Sequence, residues 1–327
     1  MRPIANSVLD LIGNTPILRL NKIVPDHLKH HQFFGKLEYF NPGNSVKDRI
    51  GMAIIEDAEK SGRLKPGGTI VEATSGNTGV GLAQAALLKG YKCIFVMPDK
   101  ISEEKRAILR AYGAEVIITP TAVEPEDPRS YISVSQKLAK ETPNAILGNQ
   151  YHNPANPKAH TLSTGPEIWE QMGGQLDAFV AGAGTGGTIS GVGEYLKTKN
   201  PNLNVVCSDP VGSILADLFY HGKVITPAHG YLVEGVGEDM LPENVHLKTI
   251  DAFEKVTDPE AFQMTRQIVA KEALFLGPSS ALALVGAFKW AEKVTKPSRI
   301  LVLFPDNGRG YLSKAFNETW LKQNNLI

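Results

Sequence analysis

The residues best placed to do chemistry lie in one stretch, Asn41-Pro42-Gly43-Asn44-Ser45-Val46-Lys47-Asp48-Arg49. A Pro-Gly-Asn-Ser turn runs into Lys47, which opens the amphipathic run DRIGMAIIEDAEKSG, so the lysine is predicted at a helix N-terminus. The positive end of a helix dipole disfavours a cation and favours loss of its proton. A lysine that gives up its proton is a nucleophile able to form a Schiff base with a carbonyl. Taken alone, Lys47 reads first as a solvated lysine in a first turn, since most surface lysines do no chemistry.

Four loops add to it. Thr74-Ser75-Gly76-Asn77-Thr78-Gly79, between a strand pattern and a helix pattern, offers hydroxyls, an amide and backbone N–H groups to an anion such as a carboxylate. An N-cap and a tight turn need only one of those hydroxyls. Gly184-Thr185-Gly186-Gly187-Thr188 follows the strand pattern LDAFVAGA and reads as a phosphate cradle. Gly182, Gly184 and Gly187 also match G-x-G-x-x-G, with Asp209 ending the next strand where a ribose-binding acid belongs, so a nicotinamide-dependent oxidoreductase is the rival reading. Gly277-Pro278-Ser279-Ser280 opens a helix; Ser279 suits an N-cap or a partner for a ring nitrogen. Glu234-Gly235-Val236-Gly237-Glu238-Asp239 is an acidic loop, by default a solvated turn.

The elements that must position these loops follow from periodicity. From residue 69 short strand patterns (TIVEAT, YKCIFVMP, AEVIITP, AILGNQ) alternate with helix patterns of ten or more residues, and a second series follows residue 150 (LDAFVAGAG, NVVCSDP, SRILVLFPD). Such alternation predicts βαβ units and parallel sheets, with ligands at the strand-to-helix loops. Residues 211–257 are rich in Gly and Pro and carry no clear element. HLKHHQ, with His27, His30 and His31, reads as a solvated loop rather than a metal site, having no partner ligands at fixed spacing.

Composition sets the class. In 327 residues, Lys+Arg and Asp+Glu are each 34, which offers no electrostatic case for nucleic acid or a membrane surface. The N-terminus lacks a signal-peptide apolar region, and no apolar run is long enough to span a membrane. Cys93 and Cys207 sit in apolar runs and read as reduced core residues of a cytoplasmic protein.

With these residues assembled, NPGNSVKDR, EATSGNTG, AGTGGTISG and GPSSA, in this order, resemble the cysteine synthase and cystathionine β-synthase family, pyridoxal-phosphate enzymes of fold type II. The resemblance implies an α/β fold of two lobes, each with a central mostly parallel sheet flanked by helices. A smaller mobile lobe, 42–150, and a larger cofactor-anchoring lobe, 1–41 plus 151–327, are expected to hold pyridoxal 5'-phosphate in the cleft between them. By resemblance Lys47 is the Schiff-base lysine and Asn77 the partner of the cofactor's phenolic oxygen. Gly184, Thr185, Gly186, Gly187 and Thr188 are the phosphate loop, and Ser279 is the ring-nitrogen partner. Thr74, Ser75 and Thr78, with Gln150 and Tyr151 of GNQYHNP, are implied to grip the substrate, and Gly235 and Glu238 to contact it.

SDPVGSILAD, VEGVGEDMLP and TPTAVEPEDPRS resemble the cystathionine β-synthase branch more than the plain sulfhydrylases. The resemblance implies β-replacement on serine, or an O-activated serine, by homocysteine. Sulfide acting on O-acetylserine is the alternative. Amino-acid and thiol substrates and a homodimer are expected, without nucleic acid or membrane partners. The animal enzymes place a haem-binding cysteine and histidine before the core; no cysteine precedes Cys93 here, so no haem is expected. Glu238 stands where the animal enzymes have a tyrosine, which leaves the second substrate open.

Overall fold

The computed structural model describes residues 4–74, 76–124 and 127–327. Its strands, in chain order, are β1 (Ile17–Leu20), β2 (Gln32–Leu37), β3 (Thr69–Ala73), β4 (Lys92–Pro98), β5 (Glu115–Thr119), β6 (Ala145–Leu147), β7 (Ala178–Gly182), β8 (Asn204–Pro210), β9 (Ala252–Val256) and β10 (Arg299–Phe304). Its α-helices are α1 (Lys47–Lys60), α2 (Asn77–Lys89), α3 (Glu103–Ala111), α4 (Tyr131–Glu141), α5 (Ala155–Ala159), α6 (Gly165–Gln171), α7 (Gly187–Lys199), α8 (Leu215–His221), α9 (Asp258–Glu272), α10 (Pro278–Ala291) and α11 (Glu318–Gln323). The chain divides into two compact units: the segment ending at Ile12 with Asn41–Ala159, and Gly13–Phe40 with His160–Ile327.

The first unit is built on a four-stranded sheet ordered β5-β4-β3-β6, parallel throughout. Its inner strands β3 and β4 are largely buried, as the helices of βαβ units require, and edge strand β5 is half-exposed. Helix α1 buries Ile50, Ile54, Ile55 and Ala58, one stripe at helical spacing, and the last three join a core with Ile70, Leu82, Phe95 and Leu109.

The second unit carries a six-stranded sheet ordered β1-β2-β10-β7-β8-β9, in which only the β1–β2 pair is antiparallel. The period of two along a strand separates its two cores. Ile300, Val302 and Phe304 of β10, with Ala178 and Val180 of β7, face the core that contains α10. Leu301, Leu303, Phe179 and Ala181 face the opposite core, which contains α6 and α7. The expected α/β architecture with mostly parallel sheets is therefore present.

Local departures have local causes. Residues 211–257 contain two elements the sequence pattern hides, α8 and β9. β9 extends the sheet beside β8, so its residues AFEKV are read by pairing rather than by alternation. The helical stretch from Ala155 to Gln171 is interrupted, as α5, a π-turn at His160–Thr164 and α6. The histidine loop is only partly solvated: His31 is buried and its Nδ1 accepts the Ser298 N–H at 3.1 Å. Cys93 and Cys207 are buried free thiols. No helix among the described residues is long and apolar enough to cross a membrane.

Candidate active site

In the first unit, Lys47 is the first residue of α1 and is half-buried. The turn before it reverses through Asn44 at φ 65°, and the Asn44 N–H reaches the Asn41 carbonyl at 2.8 Å. Ser45 Oγ accepts the Lys47 N–H at 3.2 Å, and Asp48 accepts the Gly43 N–H, so both ends of the turn are tied to the helix it opens. Asn77 is likewise the first residue of α2.

The two helices cross where neither has a side chain. A Cβ on Gly51 would overlap the backbone of Gly81, and one on Gly81 would overlap the Lys47 carbonyl. Each glycine lies four residues, one turn, into its helix. The crossing therefore packs the backbone of the first turn of α1, which carries Lys47, against Gly81 of α2. The glycines in RIGMA and GVGLA were the available signal, and motif reading passed over them.

The loop before α2 is built by Thr74. Its buried Oγ1 accepts the N–H groups of Gly76 at 3.2 Å and Gly79 at 3.3 Å. Gly76 is the N-cap residue at φ 148°, a conformation open to glycine, and the Lys105 side chain lies over it. Thr78 Oγ1 donates to Gln150 Oε1 at 2.7 Å, and Gln150 Nε2 donates to the Ala73 carbonyl at 3.4 Å. The structure thus brings together Thr74, Asn77, Thr78 and Gln150, with Tyr151 next along the chain. Ser75 lies outside the described residues.

Glu72, on β3 just before this loop, was not singled out from sequence. Its carboxyl is wholly buried; one oxygen accepts the Gln150 N–H at 3.4 Å, and Oε2 has no hydrogen-bond partner. Burial raises its pKa to about 7, against the opposing hydrogen bonds from Gln150 and Asn149.

In the second unit, α7 starts at Gly187 with Gly186 as its cap in the left-handed region, φ 85°. The first turn of a helix leaves its N–H groups without intrahelical carbonyls. A Cβ on Gly186 would come within 2.7 Å of Val245 Cα, and one on Gly184 within 2.6 Å of the Gly235 carbonyl. The loop Gly184–Thr188 is therefore pressed from behind by residues 235–238 and 245, and the Gly237 N–H bonds to the Ala183 carbonyl at 2.7 Å. Thr188 Oγ1 lies 3.2 Å from His160 Nε2, and His160 Nδ1 lies 2.8 Å from Thr164 Oγ1. His160 is buried on the π-turn, a feature often found at functional sites. Periodicity gave no hint of it.

Ser279 is not an N-cap. Gly277 caps α10 and Pro278 is its first residue, so Ser279 sits one position inside, buried. Glu238 is half-buried: its N–H donates to Ser213 Oγ at 3.1 Å, and its Oε1 lies 3.7 Å from where a Cβ on Gly184 would stand. Asp209 removes the basis of the dinucleotide reading. It is buried, its Oδ2 accepts from Lys255 Nζ at 2.8 Å and from the Ala216 N–H at 3.3 Å, and it is committed to the interior rather than to a ribose.

Residues 8–306 match the family described as pyridoxal-phosphate dependent enzyme. The chain belongs to that family. It is 45% identical over 320 residues to cystathionine beta-synthase of Apis mellifera, covering 98% of this chain and 63% of the relative. It is 44% identical over 330 residues to the Saccharomyces cerevisiae enzyme of the same name, covering 98% and 65%. The chain thus spans less than two thirds of the length of these curated relatives. Among solved structures, O-acetylserine dependent cystathionine beta-synthase from Helicobacter pylori superposes with a TM-score of 0.86 at 38% identity, covering 96% of this chain and 99% of that one. Fold type II and pyridoxal phosphate as cofactor follow.

The residues present fit that cofactor. A lysine heads α1, and the Gly184–Thr188 loop offers α7's first N–H groups and two threonine hydroxyls. It carries no side chain at Gly184, Gly186 or Gly187 to block a phosphate ester. Among the described residues no cluster of His, Cys, Asp or Glu could hold a metal ion.

Proposed function

We propose that this protein catalyses β-replacement on serine by homocysteine, giving cystathionine. The observation that carries the reading is the near-complete match of this chain to cystathionine beta-synthases, with Lys47 in the family's lysine motif at the head of α1. When bound, pyridoxal phosphate supplies a carbonyl that captures amines and a ring that withdraws electrons from the amino acid's α-carbon. Lys47 would hold the cofactor through its Nζ, and once free of it Lys47 Nζ would take the substrate's α-proton. The Gly184–Thr188 loop binds the phosphate, Asn77 the phenolic oxygen and Ser279 the ring nitrogen. A neutral hydroxyl at that nitrogen leaves it less protonated than a carboxylate partner does. That favours expulsion of a β-leaving group over accumulation of negative charge. The Thr74–Thr78 loop and Gln150 orient the substrate carboxylate.

Glu238 is proposed to attract the ammonium of homocysteine, a group that sulfide lacks. Its place beside Gly184 supports this. A partly solvated ion pair contributes about 0.2–1 kcal/mol, so Glu238→Ala is expected to raise the homocysteine KM about two- to fivefold and leave the sulfide reaction nearly unchanged. Equal losses for both thiols would remove this role. A homodimer and a cytoplasmic location belong to the same proposal and rest on the family resemblance.

A second reading is supported by the likeness to the O-acetylserine dependent enzyme. In it the first substrate is O-acetylserine, with sulfide or homocysteine as thiol. The deciding experiment has two parts: an absorbance spectrum of the purified protein for bound pyridoxal, then turnover with serine or O-acetylserine paired with each thiol. Use of sulfide without homocysteine would replace the cystathionine reading with cysteine synthesis.

A further inference from the structure

Glu72 is a wholly buried acid with an unpartnered oxygen, placed against the loop proposed to hold a carboxylate. Gly148 is what lets the chain close over it, since a Cβ there would overlap Glu72 Oε2. Beyond Gly148, Asn149 turns through φ 56° and delivers the Gln150 N–H to Glu72 Oε1. Gln150 in turn accepts the Thr78 hydroxyl. A continuous chain of contacts therefore runs from Glu72 through Gln150 to Thr78, and Thr74 lies two residues along from Glu72.

We infer that Glu72 is a positioning residue of the amino-acid substrate's carboxylate grip: it holds Gln150 against Thr78, and the grip accepts an anion best when Glu72 is neutral. The inference rests on the substrate-carboxylate reading above. Two physical facts drive it. An ionised oxygen buried without a partner is costly, so the proton belongs on Oε2. A second carboxylate bound nearby disfavours ionisation further. The titratable groups on elements packed against β3 are Lys89 of α2, Lys92 and Cys93 of β4, and Tyr131, Lys137, Lys140 and Glu141 of α4, with Tyr151 and His152 after β6. Burial and the hydrogen bonds from Asn149 and Gln150 set its titration near 7. Substrate binding near neutral pH then draws a fraction of a proton from solvent onto Glu72.

The test is calorimetry of L-serine binding to the holoenzyme between pH 6 and 8, in two buffers of different ionisation enthalpy, with Glu72→Gln alongside. The parent is expected to take up a fraction of a proton that the variant does not, and to lose about three- to tenfold in affinity across that range. Glu72→Gln, a permanently neutral mimic, is expected to keep the low-pH affinity at every pH. A variant weakened equally at all pH values, with proton uptake unchanged, would overturn the inference and leave Glu72 a merely structural residue. Absence of serine binding at any pH would sink the amino-acid reading and this inference with it; binding without proton linkage would sink this inference alone. Should Glu72→Gln fail to fold, Glu72→Asp carries the test. Its carboxyl is drawn back from Gln150, so the pH midpoint of serine affinity shifts, and an unmoved midpoint overturns the inference.

Discussion

The α-carbon of Gly81 lies against the carbonyl of Lys47, so close that a Cβ there would overlap it. The lysine's place is therefore set by an absent side chain on a different helix. Gly81→Ala is expected to force α1 and α2 apart and to cost about 1–3 kcal/mol, as overpacking does. It should also lower the yield of covalently bound cofactor, because the first turn carrying Lys47 must move. Thermal unfolding and the absorbance of the bound cofactor check both effects. A variant with parental stability and full loading would show that the crossing tolerates a methyl group.

Lys47→Ala tests the chemistry rather than the packing. The residue is half-buried at a helix start, and its removal leaves no large cavity. Turnover is expected to fall to background while unfolding temperature stays close to parental. Cofactor should remain bound through the phosphate loop but without its covalent link, which spectroscopy reports. Near-normal turnover would refute the assigned role.

Gly186→Asp is expected to release the cofactor. The left-handed backbone at φ 85° disfavours a side chain, Val245 stands within 2.7 Å of any Cβ, and a carboxylate repels a phosphate. Cofactor content after dialysis is the measurement, and a fully loaded variant would place the phosphate elsewhere.

Glu72 also predicts a pH dependence of stability. Its folded pKa of about 7 stands above its ordinary 4.5, so the folded state binds the proton more tightly than the unfolded one. The associated stability is fully present below about pH 4.5 and is lost as pH rises through 7; above that, burying the charge costs on the order of 3 kcal/mol. Glu72→Gln should therefore unfold near the parental temperature at pH 5 and several degrees higher at pH 8. A difference that does not grow with pH would mean that Glu72 ionises in the folded protein as readily as in the unfolded chain, with no raised pKa.

Much of the architecture was legible because it rests on short-range rules. Alternating strand and helix periods identified the βαβ units, and the turn NPGNS placed Lys47 at a helix start, where α1 begins. The Gly-rich run before α7 marked the start of a helix by composition alone, with Gly186 as its cap. What stayed hidden depends on groups far apart in the chain. β9 is a strand because β8 lies beside it, not because AFEKV alternates. Asp209 fitted a ribose-binding pattern until Lys255, 46 residues away, was found holding it. Ser279 looked like a cap until Gly277 was seen to take that position. Residue types and their order determined the repertoire: a lysine, two glycine- and hydroxyl-rich loops and a serine, each at a helix start. Tertiary packing decided which of these meet and in what state, because burial and backbone contact act through space. The Gly51–Gly81 crossing set the start of α1, with Lys47, against Gly81 of α2, and the closure of Gly148 over Glu72 left a carboxyl buried and at the edge of neutrality.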